Sequence, residues 1–259
     1  MSKPHHFETL EVTVDGAIGR LTLNRPEKLN PLSATTLVEI IQAADWFDTQ
    51  EAVKVVIVGG NGRCFSAGAD LAGFKGSHSL TGRTSADNGR KMADALENMR
   101  PLAIAAIHGW CVGGAVVLAA ACDLRIASDD ARFSIPEVDL GIPLAWGGIP
   151  RLVREIGPAL AKELVITCRE FTPEEAASAG FLNRVVPATS LQSEVDALAQ
   201  SIAAKSMLPL ALTKRHVNAV TAQSIGVMRS WSDADSLLTA FSDPECDEVR
   251  KRYLAARGR

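Results

Sequence analysis

The stretch from Ala105 to Ser128, AAIHGWCVGGAVVLAAACDLRIAS, constrains the fold more than any other part of the chain. An apolar, strand-like run enters a Gly-rich turn. Gly113-Gly114 then open a segment with no charged or amide side chain before Asp123, and a second strand, CDLRIAS, follows. A helix that is apolar all round has no face to offer to water and must be buried on every side. Flanked by buried strands, it requires a layered α/β architecture. Two adjacent glycines at its start also imply a close approach of some group to the backbone.

The same strand, loop, helix order recurs along the chain without a tandem sequence repeat. FETLEVTVDGAIGRLTLN predicts a β-hairpin about Asp15-Gly16. RPEKLNPLS is a loop, with Ser33 as N-cap of a helix whose Leu37, Ile40, Ile41 and Ala44 share one face. VKVVIVGG is a buried strand leading into GGNGRCFSAGADLAGF. The polar segment from Lys75 to Gly89 predicts a mobile loop that shapes the site, before a helix over Arg90–Met99 and the strand LAIAAIHG. A helix over Gly113–Ala121, the strand CDLRIAS and the loop FSIPEVDLGIPLAWGGIPRL come next, and the remainder is mostly helical. TPEEAASAG predicts a short helix with Thr172 as N-cap, Pro173 at its first position and Gly180 as its stop. Longer helices are expected near Leu191–Lys205, Leu208–Thr221 and from Pro244.

At 259 residues and 47% hydrophobic content the chain can bury a full core. The division expected is a core over 1–200 and a helical region over 201–259. A net charge of −3 argues against nucleic acid as a partner. No apolar run reaches the ~18–20 residues of a membrane span, and no signal-peptide pattern opens the chain. Cys64, Cys111, Cys122, Cys168 and Cys246 are odd in number with no metal or redox spacing, which fits reduced thiols in a cytoplasmic protein.

Several chemistries fail on spacing. Gly60 and Gly62 begin a dinucleotide fingerprint, but Phe65 stands at its third glycine. No GxxxxGK[ST] loop occurs, and Ser66 in CFSAG has Cys64 where a nucleophile elbow needs glycine. No HExxH or comparable cluster argues for a metal. Two Gly-rich turns remain, SAGAD and CVGGA. Aimed at one point, their backbone N–H groups would form an oxyanion hole.

With the loop IPEVDLGI added, the sequence resembles the enoyl-CoA hydratase/isomerase (crotonase) superfamily. The likeness runs almost end to end, through LTLNRPEKLNPLS, VKVVIVGGNGRCFSAGADL, PLAIAAIHGWCVGGAVVLAAACDLRIAS, ARFSIPEVDLGI and LVITCREFTPEEAASAGFLNRVVP. It implies a spiral of repeated ββα units with a helical C-terminal region used in trimerisation, as a homotrimer or a dimer of trimers. It also implies an acyl-CoA substrate, with no cofactor beyond the coenzyme A that the substrate carries. The oxyanion donors would be the N–H groups of Ala69 and Gly114. Lys28, Leu29, Ala67, Asp70 and Leu71 would lie along the coenzyme A moiety, and Arg257 near its phosphates.

Hydratases of the family use two glutamates. One matches Glu137; at the other position this chain has Val117. Asp139, the nearest substitute, is expected to face the opposite side or to hold the turn. The dienoyl isomerase and dehalogenase branches carry an aspartate where this chain has Ala145. Trp110 and Trp146 flank the pocket and would wall or shorten the acyl channel. One carboxylate suits a Δ3-to-Δ2 double-bond shift better than hydration. The alternatives are an enoyl-CoA hydratase proper, as in fatty acid β-oxidation, and a non-catalytic acyl-CoA-binding protein.

Overall fold

The computed structural model describes residues 6–70, 80–230 and 232–256. β1 (Leu10–Asp15) and β2 (Ile18–Leu23) form the expected antiparallel hairpin. The Ser33 hydroxyl accepts from the Thr36 N–H at 3.2 Å and caps α1 (Ala34–Thr49). Leu37, Ile40 and Ala44 of that helix are buried, and Ile41 is half-buried. The further strands among the described residues are β3 (Val55–Gly60), β4 (Leu102–Ile107), β5 (Trp110–Val112), β6 (Leu124–Ser128), β7 (Arg132–Ser134) and β8 (Arg184–Val186).

The main sheet has the order β1-β2-β3-β4-β6-β8 and is parallel from β2 onward. Val56 and Val58 face one core; Val55 and Ile57 face another, completed by Leu191, Val195, Ala199 and Ile202. Burial on both faces explains why these strands read as continuous apolar runs rather than as alternation. A second, shorter ladder pairs β5 with β7 and is extended by the bridges Leu32 to Ala69, Ser66 to Cys111 and Phe133 to Phe171. Each pass through the main sheet therefore continues into a short crossing in the second ladder, which is the spiral that the resemblance implies. The Gly-rich turns lie in those crossings.

The segment expected as a loop to Gly89 departs from expectation. Residues 75–79 lie outside the described residues, and α2 (Leu80–Asn98) already includes 80–89. Its buried residues Ala86, Gly89, Met92, Ala93 and Leu96 recur at helical spacing. Arg90 adds ion pairs to Asp87 and Asp94 at 2.7 and 2.6 Å. Packing against the core overrides a Gly- and Ser-rich composition here. α3 (Gly114–Ala120) is buried at every residue; full burial of a side chain such as Val116 or Leu118 contributes about 1.5–3 kcal/mol. α4 (Gly148–Thr167) starts inside the segment expected as a loop and breaks its helical dihedrals at Gly157, before Pro158.

The Thr172 hydroxyl accepts from the Glu175 N–H at 3.2 Å and caps α5 (Pro173–Ser178) as expected. α6 (Leu191–Ala203), α7 (Met207–Ser224), α8 (Asp233–Ser242) and α9 (Pro244–Ala255) complete the chain. Lys214 anchors α7 to the core, donating to the Pro101 carbonyl at 3.0 Å and pairing with Asp123 at 2.8 Å. No helix among the described residues is long and apolar enough to cross a membrane.

One buried ion cluster fixes the helices around the turn at Trp146-Gly147. Arg151 is fully buried; its Nη2 pairs with Glu97 at 2.5 Å and Asp94 at 2.9 Å, joining α4 to α2. Its Nη1 donates to the Trp146 and Gly147 carbonyls at 3.4 and 3.3 Å. Arg154 also pairs with Glu97. Burial works to raise the Glu97 carboxyl, but the two guanidiniums outweigh it and hold its pKa below the ordinary value. From α8, Asp233 accepts from the Gly147 N–H at 2.7 Å. Removing one partner of a buried pair leaves an uncompensated charge, so Glu97→Ala is expected to cost about 3–5 kcal/mol. The readout is a lower urea midpoint at unchanged m value; a loss below about 1 kcal/mol would show that Asp94 alone compensates Arg151.

Candidate active site

The two Gly-rich turns lie side by side. Ser66 N–H donates to the Trp110 carbonyl at 3.0 Å, and Val112 N–H donates to the Ser66 carbonyl at 3.2 Å. On the other flank, Leu32 N–H donates to Gly68 O at 2.8 Å and Asp70 N–H donates to Leu32 O at 3.2 Å. That alternation turns the N–H of Ala69 away from Leu32, toward the side on which Val112–Gly114 run. The Ser66 hydroxyl donates to Asn30 O at 2.7 Å and accepts from Gly68 N at 3.1 Å, which locks the turn. Gly68 has φ +86°, and a Cβ there would collide with Val112 O and stand 3.6 Å from Gly114 N. Gly114 is the first residue of α3, so its N–H has no intrahelical acceptor. Among the described residues neither the Ala69 nor the Gly114 N–H meets an acceptor. α3 is only seven residues long, so these two dipoles, more than a helix macrodipole, set the local field.

The paired glycines admit groups from the chain itself. Gly113 has φ +53°, and a Cβ there would strike the Glu137 carboxylate; a Cβ at Gly114 would strike the Trp146 indole. Glu137 sits on a tight turn whose carbonyl accepts from Leu140 N and Ile142 N, both at 3.0 Å. Its residue is 8% exposed, and its buried Oε2 has no hydrogen-bond partner. Burial pushes its pKa up to about 7. A hydrogen bond from its own backbone N–H offsets that burial only in part; among the described residues no cation does, and the inner-cavity walls are apolar.

Glu137 lies where two cavities meet. The inner one, about 310 Å³ including space open to solvent, is lined by Ala69, Gly114, Val117, Glu137, Ala145 and Trp146, with Ile142, Leu144 and Leu237. The outer groove, about 1470 Å³ including space open to solvent, runs past Leu29, Ala67, Ala69, Trp110, Glu137 and Asp139 to Tyr253 and Leu254 of α9. Ala69, Glu137 and Ile142 line both.

The structure therefore brings together Ala69, Gly114, Glu137, Val117, Ala145 and Trp146 at one point. It separates the two tryptophans. Trp146 is in the inner cavity, while Trp110 lies on the outer groove, 37% exposed, with the Arg132 guanidinium 5.8 Å from its ring. Leu29 and Ala67 line the groove; exposed Lys28 and half-buried Asp70 are not among its walls. Leu71 and Arg257 lie outside the described residues. The expectation that Asp139 faces the opposite side is corrected, since it is exposed on the same groove as Glu137. Residues 137–141 form a turn rather than a strand, so positions two apart do not face opposite ways. Leu237, Tyr253 and Leu254 were not foreseen. They reach the site from helices far along the chain, and no local pattern marks them. Among the described residues no group of three or more His, Cys, Asp or Glu could hold a metal ion.

Comparison with known proteins places the chain in a family. Residues 13–257 match the family model for enoyl-CoA hydratase/isomerase. The chain is 33% identical over 247 residues to a crotonyl-CoA hydratase from Syntrophomonas wolfei, covering 91% of this chain and 95% of that one. It is 34% identical over 266 residues to a peroxisomal Delta(3,5)-Delta(2,4)-dienoyl-CoA isomerase from Arabidopsis thaliana, covering 95% and 96%. A crystal structure of an enoyl-CoA hydratase/isomerase from Mycobacterium paratuberculosis superposes with a TM-score of 0.87 at 25% identity, covering 96% of this chain and 100% of that one. The chain belongs to the enoyl-CoA hydratase/isomerase family, a family of enzymes with hydratase and isomerase members.

Proposed function

We propose that this enzyme shifts the double bond of an enoyl-CoA thioester from Δ3 to Δ2, with Glu137 as its single acid/base. One observation carries the reading: Glu137 is the only titratable side chain among the described residues of the inner cavity, and Val117 and Ala145 stand beside it where a second carboxylate would be needed. Hydration requires one group to activate water and another to protonate carbon. Removing either costs ~10²–10⁴ in rate. A 1,3-shift needs only one. The Glu137 carboxylate takes a proton from C2, the electron pair passes into the thioester carbonyl as a dienolate, and the same carboxyl returns the proton to C4 as the C2=C3 bond forms.

The Ala69 and Gly114 N–H groups are the donors for the dienolate oxygen in this reading. Losing one such donor typically raises the barrier by ~2.7–4 kcal/mol. The coenzyme A portion would follow the outer groove past Leu29 and Ala67. Assembly as a homotrimer, or a dimer of trimers, belongs to the same reading and is supported by exposed Leu208, Leu212, Val217 and Val220 on α7. Hydration is the second reading. It is favoured by the name of the Syntrophomonas relative and by Asp139, a second carboxylate on the groove that Glu137 shares.

The two readings separate when trans-3- and trans-2-enoyl-CoA are offered to the wild type, Glu137→Gln and Asp139→Asn, with products identified by mass spectrometry and NMR. Isomerisation is expected to fall ~10²–10⁴-fold in Glu137→Gln and to be unchanged in Asp139→Asn. Fast hydration lost in both variants would instead establish a two-carboxylate hydratase.

A base must be ionised to abstract a proton. The pH profile of kcat/KM for isomerisation should therefore fall on the acid side with a midpoint at about 7. A midpoint in the ordinary carboxylate range would assign the base elsewhere.

The same raised pKa makes a stability prediction with a definite sign. The folded state holds its proton up to about pH 7 and the unfolded state only to about 4.5. Stability contributed by the neutral carboxyl is thus fully present below the unfolded value and is lost as pH rises through the folded one. Glu137→Gln should gain about 3 kcal/mol on the wild type between pH 4 and pH 8. Parallel denaturation curves at the two pH values would reveal a charge tolerated at no cost.

A further inference from the structure

Trp146 is held in a backbone conformation that a tryptophan seldom adopts. Its φ is +63°, in the left-handed region that favours glycine. Such residues persist where the surroundings over-determine them, and they cluster at functional sites. Three contacts do so here. Arg151 donates to the Trp146 and Gly147 carbonyls, Asp233 accepts from the Gly147 N–H, and the indole is wedged between α2 and α3. A Cβ on Gly89 of α2 or on Gly114 of α3 would overlap the ring. Glycine inside a helix weakens it; at Gly89 the missing side chain is what admits the indole.

The ring's position matters because of what lies on either side. Trp146 is 5% exposed and lines the inner cavity together with Glu137 and Gly114. Its far side meets Gly89 of α2. An acyl chain that has its thioester at Gly114 and its reacting carbons at Glu137 runs into the indole within the same cavity. Of the remaining walls, Leu144, Ala145 and Leu237 belong to the core and Ile142 packs against it.

We propose that Trp146 is a specificity-determining residue, its indole closing the end of the acyl site and confining the substrate to short, straight acyl groups. This rests on the acyl-CoA reading above. Arg151 is a positioning residue in the same device, because it holds the strained turn through the Trp146 and Gly147 carbonyls and is not among the residues lining the cavity.

Calorimetric binding of butyryl-CoA and decanoyl-CoA to the wild type, Trp146→Ala and Trp146→Phe tests this without relying on turnover. The wild type should bind butyryl-CoA about tenfold or more tightly than decanoyl-CoA. Trp146→Ala should reverse the preference, mainly by a gain of about tenfold or more for decanoyl-CoA. Trp146→Phe keeps an apolar ring and serves if the alanine variant does not fold; its ratio should fall between the two. If both thioesters bind and their ratio is the same in all three proteins, the inference is overturned while the acyl-CoA reading stands. If the wild type binds neither, the reading itself fails, and the inference with it. Gly89→Ala checks the wedge independently. It should lower the melting temperature of the wild type and leave that of Trp146→Ala unchanged or higher; equal effects in both would show that the ring does not occupy the space claimed for it.

Discussion

A buried carboxylate with no cation beside it among the described residues, set against an apolar cavity, is the constraint on which the rest of this site depends. Moving an ionised group out of water is costly enough that an unpaired carboxyl answers by holding its proton more tightly. Glu137 does so, with a pKa raised to about 7. The response is useful only if the group cannot escape to solvent. Its turn is tied by the hydrogen bonds from Leu140 and Ile142 to its own carbonyl, and Gly113 offers the carboxylate a floor with no side chain. A more mobile loop would hydrate the acid, return it to its ordinary range and remove the balance between donating and accepting a proton at neutral pH.

Such rigidity is built from distant elements. The main sheet is buried on both faces, and the short second ladder hangs from it by turns that sheet geometry alone would leave loose. Side-chain and backbone bonds finish the work: Ser66 to Asn30, Gly68 to Leu32, Gly113 to Ser134. Among the described residues the Ala69 and Gly114 N–H groups remain without acceptors, their neighbours having taken the bonds on either flank. Buried backbone donors are nearly always paired, so the buried Gly114 N–H left open beside a cavity is a costly feature unless a ligand oxygen completes it.

Legibility in the sequence followed how local the physics is. The hairpin at Asp15-Gly16 and the caps at Ser33 and Thr172 depend on residues a few positions apart and were readable. Strands β5, β7 and β8 span three residues each, too few for periodicity to declare itself. The first half of α2 looks like a loop by composition and becomes a helix because its apolar residues have a core to meet. At the site, the candidate residues could be proposed from motifs, but their convergence could not. Nothing in VDLGI announces that Asp139 shares a groove with Glu137. Nothing distinguishes Trp146 from Trp110 until one is seen over Gly114 and the other beside Arg132.

The buried ion cluster and the unpaired acid also explain one another. Arg151 lies five residues from Trp146 in sequence and is fully buried, so a guanidinium lies 3.4 Å from the backbone carbonyl of a cavity-wall residue. Had its charge reached Glu137, the pair would have pulled the acid's pKa down and left a carboxylate unable to hold a proton at neutral pH. Instead Glu97 and Asp94 neutralise Arg151 through Nη2, and its Nη1 meets the Trp146 and Gly147 carbonyls. Trp146 thus belongs to two electrostatic regimes at once. Its backbone carbonyl meets Arg151, and its indole lines the cavity that holds the acid. The strain in its backbone is tolerable because the ions that must be kept from Glu137 are the groups that hold the turn.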